Sequence, residues 1–443
     1  MTEFNNVLIM GYGKSGKAVE SFLQKKSIKF MVFDYAVKKS GHFINKLSKR
    51  IIKSFDLIVL SPGISIYNKF VQFAIKNGIE VISELEFGFM FLSKKTKLIA
   101  VTGTNGKTTT TALLNECIKA SGKTSEAVGN IGRPLTDYCD KDYDYLVCEV
   151  SSFQLEAVKN FKPDIAIILN IAEDHTDRHL TYNNYIDAKF ELLKNSPNLA
   201  ILNFDDDVIY ERAKAINSKK KYFSLTSKKA NIYIDKEDNI VLCKDKKKIK
   251  IFNTDCINLP PVFMQDILAI LLVLSELKID YNTIISQIQK YDNMSHKCEI
   301  VTNTNNILFV NDSKATNIHA MMSMLSTCKN PTILMLGGTD KRLNFDFFFE
   351  GINTYNLKQI VCFGEAKNRI LRSAKKYKFD RIIKVPHLKE AVDFSIKNAK
   401  SGDIVLLSPA CSSFDEFGGY RERGEYFKKL IFEYLDGRVD EEK

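Results

Sequence analysis

No Cys-x-x-Cys pair, and no grouping of cysteine with histidine at zinc spacing, occurs in the 443 residues; the nine cysteines are odd in number and scattered. A disulfide framework and a structural zinc site are excluded on that ground. Cys148 in YLVCEV and Cys362 in IVCFG sit inside apolar runs, where a free thiol behaves as a small hydrophobe. A reducing, cytoplasmic compartment is expected. No apolar run approaches the roughly 18 residues that a membrane span needs, and the start, MTEFNNVLIMGYG, has no basic stretch leading into an apolar one. No export and no membrane partner are expected. Internal repeats and low-complexity linkers are absent too.

What is present is enough apolar material, 45% of residues, for several buried cores. At roughly 100–200 residues per domain the length suggests about three domains. The formal net charge is +11, which invites a nucleic-acid or membrane-surface reading. Its distribution argues otherwise. Residues 214–250 carry twelve lysines against four acids, so eight of the eleven surplus charges fall in one stretch. There NIYI, IVLC and IKIF are separated by the polar turns DKEDN and KDKKK, a pattern of hairpins with one solvated face.

Elsewhere apolar strands alternate with helical segments, which predicts parallel sheets with crossover helices. One such run begins at Val7–Met10, a second at Leu98–Val101 and a third at Ile307–Val310. Domains are expected at 1–95, 96–297 and 298–443, the fold class being α/β throughout.

Two glycine-rich turns follow strands and open helices. Gly11-Tyr12-Gly13-Lys14-Ser15-Gly16, with Asp34 at the end of the next strand, has the spacing that lets a pyrophosphate approach a helix N-terminus while an acid receives a ribose or base. Either a dinucleotide or another nucleotide diphosphate would satisfy it, and a plain packing turn remains open. Thr102-Gly103-Thr104-Asn105-Gly106-Lys107-Thr108-Thr109 is more specific. Consecutive backbone N–H groups cradle phosphates, Lys107 neutralises a transferring phosphoryl group, and Thr108 offers a hydroxyl to magnesium. The usual phosphate loop has glycine five residues before Gly106; here Val101 stands there, making this the short variant TGTNGKT.

Glu149 and His175 each follow an apolar strand, at the edge where open α/β sheets bind ligands. A carboxylate and an imidazole converging on a phosphate loop suit magnesium held by few protein ligands. Near the C-terminus, SPACSS follows the strand Ile404–Leu407 and offers hydroxyl and backbone donors to an anion; Cys411 within it reads as structural.

TGTNGKTTT, EVSSFQLE, NIAEDHTDRH, NDSKATN, LGGTDKRLNF and LSPACSSFDEF occur in that order along the whole chain. Together they closely resemble the Mur ligases, and among these the D-glutamate-adding branch. The resemblance implies a Rossmann-like N-terminal domain for a UDP sugar, a central phosphate-loop ATPase domain and a Rossmann-like C-terminal domain. It implies an ATP-driven ligation in cell-wall peptidoglycan synthesis: the carboxylate of UDP-N-acetylmuramoyl-L-alanine is phosphorylated, the D-glutamate amine attacks, and ADP and phosphate leave. A cytoplasmic monomer acting on small molecules, with ATP and two magnesium ions and without nucleic acid, is what the family pattern leads one to expect.

By motif, the resemblance makes Lys107, His175 and Lys189 catalytic, with Lys189 carried as a carbamate. Such chemistry needs a neutral amine, hence a lysine whose pKa is lowered. Gly103 to Thr109, Lys297, Asp312 and Lys314 would face ATP; Thr108, Glu149, His175 and Lys189 would serve magnesium. Gly13, Asp34, Ser61 and Asn130, with Pro134 closing GNIGRP, would face the UDP sugar. Thr316, Lys341, Ser413, Phe414 and Tyr420 would form the D-glutamate pocket. Three departures from the pattern stand out. Pro260 to Asp266 replaces Gly-x-His-Asn-x-x-Asn. Ser295-His296-Lys297 replaces Pro-His-Arg, losing arginine's bidentate fork. Tyr420 stands where phenylalanine is usual. Altered nucleotide affinity is expected from them, not lost activity.

Overall fold

Buried apolar runs form the inner strands, and the amphipathic segments between them pack back as crossover helices, giving three sheets among the described residues. The computed structural model describes residues 4–37, 41–245, 247–257, 263–290 and 295–441. The described residues through Lys290 form one compact unit, and those from Ser295 form a second.

The first sheet joins Asn6–Met10, Lys29–Phe33, Leu57–Leu60 and Glu80–Ser83, all parallel. Its first strand lies between the second and the third, so the winding reverses beside it. Such a switch point opens a crevice at the carboxyl ends of the strands.

The second sheet has nine strands. Lys97–Thr102 is third from one edge, flanked by Tyr145–Glu149 on one side and Ile165–Ile168 on the other. Ser125–Gly129 closes one edge. In the other direction come Leu199–Asn203 and Lys219–Ser224, also parallel.

The lysine-rich stretch does fold back and forth: Ile232–Ile234, Asn239–Lys244 and Lys247–Asn253 pair antiparallel in turn. It is not a separate hairpin element, however, because Ile232–Ile234 pairs parallel with Lys219–Ser224 and so extends the main sheet. KKKYFS reads as too polar for an internal strand. Two of its lysines find acceptors on the protein: Lys220 donates to the carbonyls of Ala213 and Ile216, and Lys221 pairs with Glu276.

The helix Glu84–Met90 joins the first two sheets into one unit. Leu85 packs in the core of the second sheet and Phe87 in that of the first. The Glu86 carboxylate, 1% exposed, accepts the backbone N–H groups of Lys159, Asn160 and Phe161 at 2.8–2.9 Å. Glu84 Oε1 accepts from the Thr136 amide and hydroxyl at 2.9 and 2.6 Å.

The second unit holds six strands: Glu299–Thr304 pairs antiparallel with Ile307–Asn311, which is followed across the sheet by Ile404–Ala410, Thr332–Gly337, Leu357–Phe363 and Ile382–Lys384, all parallel. The strand Glu299–Thr304 falls outside the α/β alternation expected to begin at Ile307. It exists because Asn305 and Asn306 both take positive φ, 54° and 58°, the geometry of a tight two-residue hairpin.

Candidate active site

The buried strand Lys97–Thr102 delivers the phosphate loop to the carboxyl edge, and Gly106, at φ 86°, caps the helix Lys107–Ala120. A side chain on Gly106 would collide with Asp266 Oδ1, so the glycine answers both the left-handed backbone and the close approach of that carboxylate. The neighbouring loop clamps this one: Thr104 N–H donates to Asn170 O at 2.8 Å, Asn105 N–H to Asn170 Oδ1 at 2.8 Å, and Ala172 N–H to Thr104 Oγ1 at 2.9 Å. Tyr185 stands with its hydroxyl 2.9 Å from Thr104 Oγ1. Thr108 is half-buried in the first turn of the helix and Thr109 is buried.

Two lysines meet on one carbonyl. Lys107 Nζ donates to Gly103 O at 2.9 Å and to Thr104 O at 2.8 Å; Lys189 Nζ donates to Gly103 O at 2.7 Å. Lys189 reaches there from the helix Tyr182–Lys194, is 1% exposed, and lies over the Tyr185 ring at 4.7 Å. Burial, then the neighbouring Lys107 charge, hold its amine well below the ordinary lysine range, against the opposing pull of Asp174 and Glu149. Lys107, Lys189, Asp174 and Glu149 are thereby brought within electrostatic reach of one another.

Glu149 ends its strand opposite Val101 and is 2% exposed. Asn130 Nδ2 donates to Glu149 Oε1 at 2.8 Å, and the two backbones bond at 2.9 Å. Glu149 Oε2 is buried with no hydrogen-bond partner among the described residues. An orphaned carboxylate oxygen at a phosphate loop fits a hard cation such as magnesium. Among the described residues no group of three or more His, Cys, Asp and Glu forms a metal cage, so phosphate and water oxygens would complete the coordination. His175, at φ 54°, keeps its ring 40% exposed against Phe153, with Nε2 3.7 Å from Asp174 Oδ2.

At the switch point of the first sheet, Ser61 Oγ donates to Gly11 O at 2.9 Å, and Asp34 Oδ2 accepts the Tyr12 N–H at 2.7 Å. Asp34 Oδ1 takes the amides of Ala36 and Val37 at 2.8 and 3.0 Å. Gly11, Asp34 and Ser61 are thus brought together, while Gly13 caps the helix Lys14–Lys25 at the exposed end of the turn.

Sequence reasoning missed Arg178 and Glu156, which tie this loop to the second sheet. Arg178 Nη2 donates to Ile64 O at 3.1 Å and to Glu156 Oε2 at 2.8 Å, and its guanidinium covers the Phe153 ring at 4.7 Å. The signal was inside NIAEDHTDRH, where an arginine and two histidines follow the strand end. Asp266 was also missed as a neighbour of the phosphate loop. It is 3% exposed on the helix Met264–Leu277 and belongs to the divergent segment, of which Pro260 to Val262 lie outside the described residues.

In the second unit three adjacent strands end together, and their loops carry the remaining candidates. Asp312, Lys314 and Thr316 follow Ile307–Asn311; Ser413 and Phe414 follow Ile404–Ala410; Lys341 follows Thr332–Gly337. Asp312 is 3% exposed and accepts from Ser408 Oγ at 2.7 Å and Cys298 N at 3.2 Å; burial raises its carboxyl to about 7, with Lys297 pulling it back. Lys314 Nζ stands 6.0 Å over the Tyr420 ring. Thr339 N–H donates to Ser412 O at 2.9 Å, and burial raises the Cys411 thiol to about 12 against the opposing charges of Arg423 and Lys341. Cys411 is wholly buried, as its structural reading requires. Phe414, by contrast, is 72% exposed at the loop tip, and Ser413 is buried. His296, from the altered linker, is 5% exposed, and its Nδ1 stands 3.0 Å from Asn311 Nδ2.

A phosphate loop at the carboxyl end of a strand flanked by parallel neighbours, with two lysines and an orphaned buried carboxylate gathered around it, defines a phosphate-binding α/β protein. Three family models match it in order: the Mur ligase MurD-like N-terminal domain over residues 5–83, the Mur ligase middle domain over 101–263, and the Mur ligase glutamate ligase domain over 296–411. A UDP-N-acetylmuramoylalanine–D-glutamate ligase of Clostridioides difficile (strain 630) is 35% identical over 96% of this chain and 98% of its own. The ligase of the same name from Thermoanaerobacter sp. (strain X514) is 36% identical with the same coverage. Among solved structures, a pseudomurein peptide ligase type C from Methanothermus fervidus superposes with a TM-score of 0.61 at 17% identity, over 97% of this chain and all of that one. MurF ligase from Thermotoga maritima in complex with ADP gives 0.60 at 16% identity, over 98% and 95%. The chain belongs to the Mur ligase family.

Proposed function

We propose that this enzyme joins D-glutamate to UDP-N-acetylmuramoyl-L-alanine at the expense of ATP, through an acyl phosphate, with ADP and phosphate released. It is a cytoplasmic step of peptidoglycan precursor synthesis carried out by a monomer with domains at 1–95, 96–297 and 298–443. The full-length similarity to ligases of that name supports the substrates. The observation that carries the chemistry is the meeting of Lys107 and Lys189 on the Gly103 carbonyl beside Glu149.

A carboxylate is a poor electrophile, and phosphorylation gives it a leaving group. Lys107 meets the charge that builds on the transferring phosphoryl group, and backbone amides of Gly103 to Thr109 hold the polyphosphate. Lys189, its proton affinity lowered by burial and by the Lys107 charge, gives up its proton more readily than an ordinary lysine; the neutral amine adds carbon dioxide with loss of a second proton, and the carbamate is an anion facing the same loop as Glu149. Thr108, Glu149, His175 and the Lys189 carbamate would hold magnesium at two sites. The metal, when bound, supplies charge neutralisation to phosphoryl oxygens. Gly13, Asp34 and Ser61 orient the UDP moiety, with Asn130 toward the sugar. Asp312, Lys314 and Lys297 are further candidate contacts to the nucleotide. Thr316, Lys341, Ser413, Phe414 and Tyr420 receive D-glutamate, with Lys341 as a point charge for a carboxylate.

Phosphate release measured with UDP-N-acetylmuramoyl-L-alanine and ATP should depend on D-glutamate. Equal or faster turnover with L-glutamate, L-alanine or a diamino acid would replace this assignment by that of a sibling ligase.

A further inference from the structure

Arg423 is 0% exposed near the start of the helix Tyr420–Glu441, and among the described residues its guanidinium makes four hydrogen bonds, none to a carboxylate. Nε donates to Ser313 Oγ at 3.0 Å and Nη2 to Ser313 O at 2.8 Å, both in the loop that carries Asp312, Lys314 and Thr316. Nη2 also donates to Cys411 O at 3.0 Å and Nη1 to Ser412 O at 3.2 Å, in the loop that carries Ser413 and Phe414. The third loop meets the same post. Ser412 O also accepts the Thr339 N–H at 2.9 Å, and a Cβ on Gly338 would lie 3.0 Å from Arg423 Nη1 and collide with Ser412 O. Ser313 Oγ closes the circuit by donating to Tyr420 O at 2.8 Å.

One fork of N–H donors therefore ties two of the three loops on which the second unit's substrate candidates stand, and meets the third through Ser412 O, which the Thr339 N–H shares. A buried cation with no bonded anion is costly, and an apolar side chain of similar volume would fill the space at less cost. Burial draws the guanidinium down to about 10, against the opposing pull of the Cys411 thiol and of the Asp415, Glu416 and Asp312 carboxylates, and leaves it charged near neutrality. What arginine adds over an apolar residue is a rigid planar fork and a positive charge behind loops that offer hydroxyls and amides to solvent.

We propose that Arg423 is a positioning residue for the amino-acid substrate: it sets the spacing of the three loops, and its charge favours a dicarboxylic amino acid bound on them. This rests on the reading of the enzyme as a D-glutamate ligase. The geometry makes the contact indirect, through Ser313, Cys411 and Ser412.

Steady-state kinetics on the full-length enzyme with Arg423→Lys and Arg423→Ala test it. Arg423→Lys keeps the charge and loses the fork; KM for D-glutamate should rise about tenfold, the worth of one charge-assisted bond. KM for the UDP sugar should stay unchanged, since its candidate contacts lie in the other unit. Arg423→Ala should show the larger defect, partly restored by millimolar guanidinium and not by equal sodium chloride. Should Arg423→Ala fail to fold, Arg423→Lys alone decides. An unaltered KM for D-glutamate in Arg423→Lys, or a loss confined to the fraction of active enzyme, overturns the proposal. A wild-type enzyme that ignores D-glutamate would instead overturn the functional reading beneath it.

Discussion

Replacing Lys189 by methionine separates a residue kept for chemistry from one kept for stability. The change removes one charged hydrogen bond, to Gly103 O at 2.7 Å, and one cation–π contact, over Tyr185 at 4.7 Å. Those are worth about 1.5–3 and about 0.5–2 kcal/mol. It also removes a buried ammonium beside Lys107, whose desolvation costs several kcal/mol. Methionine fills nearly the same volume, so the variant should be as stable as the parent or up to about 2 kcal/mol more stable near neutral pH. The pH dependence gives the sharper signature. The folded state releases this proton well below the ordinary lysine value, whereas the unfolded chain holds it to about 10.4. Between those two values the unfolded state binds more protons, so stability gains about 1.4 kcal/mol per pH unit from this group as pH rises. Lys189→Met should lose that slope. Trp is absent from the chain, so urea unfolding would be followed by circular dichroism, in bicarbonate-free buffer across pH 7 to 10. Turnover should vanish, and in Lys189→Ala short carboxylic acids should restore part of it in place of the carbamate. A variant destabilised by about 3 kcal/mol with an unchanged pH slope would show a charged structural lysine, and an active variant would remove Lys189 from the site.

Lys107→Ala should abolish ATP-dependent phosphate release through loss of charge stabilisation on the phosphoryl group, and near-normal release would reject the phosphate-loop assignment. Glu86→Ala strips the acceptor from three backbone N–H groups and should cost about 3–5 kcal/mol, read as faster hydrogen exchange at Lys159, Asn160 and Phe161; unchanged protection there would mean that packing alone joins the two sheets. Asp312 has its folded pKa raised to about 7, so its proton stabilises the fold fully below about pH 4 and the gain is lost as pH rises toward 7. Asp312→Asn should flatten the stability profile of the second unit across that window, and an unaltered profile would place the titration elsewhere.

The parts of the site that lie next to a strand end were legible, because a glycine turn after an apolar run has few other uses. TGTNGKT and GYGKSG fold as expected, and the strand alternation that gave the α/β class holds in all three sheets. What sequence could not show is whatever depends on a distant partner. Glu86 sits in ELEFGFM, and nothing local says that its acceptors' donors lie 73 to 75 residues on. Arg423 reads as one of three charges in RER, yet its partners are 110 and 11 to 12 residues earlier and it is the one wholly buried. The reading of Lys189 came from motif likeness; its neighbours in sequence describe an ordinary amphipathic helix. Only burial and the approach of Lys107 explain its low proton affinity. The hairpin Glu299–Asn311 was missed for a different reason: EIVTNT is polar on both faces, half exposed, and its turn signal, two asparagines at positive φ, outweighs the weak strand pattern.

The surplus positive charge can now be weighed by distance. The strands that bear it, Lys219–Ser224 through Lys247–Asn253, lie three to six strands from Lys97–Thr102 in the second sheet. At about 4.8 Å per strand that is roughly 14–29 Å, against a screening length of about 8 Å at physiological ionic strength. Little of that field reaches the phosphate loop. Its position suggests another use. Lys247–Asn253 is an edge strand whose outer N–H and C=O groups face no neighbouring strand among the described residues, and its first four residues, three of them lysine, are exposed. Lysines on such an edge oppose pairing with a second chain through repulsion and the cost of desolvating each ammonium. Three of the twelve lysines of that stretch are therefore accounted for at the sheet edge, and the cations left for substrates are the few gathered on loops at strand ends.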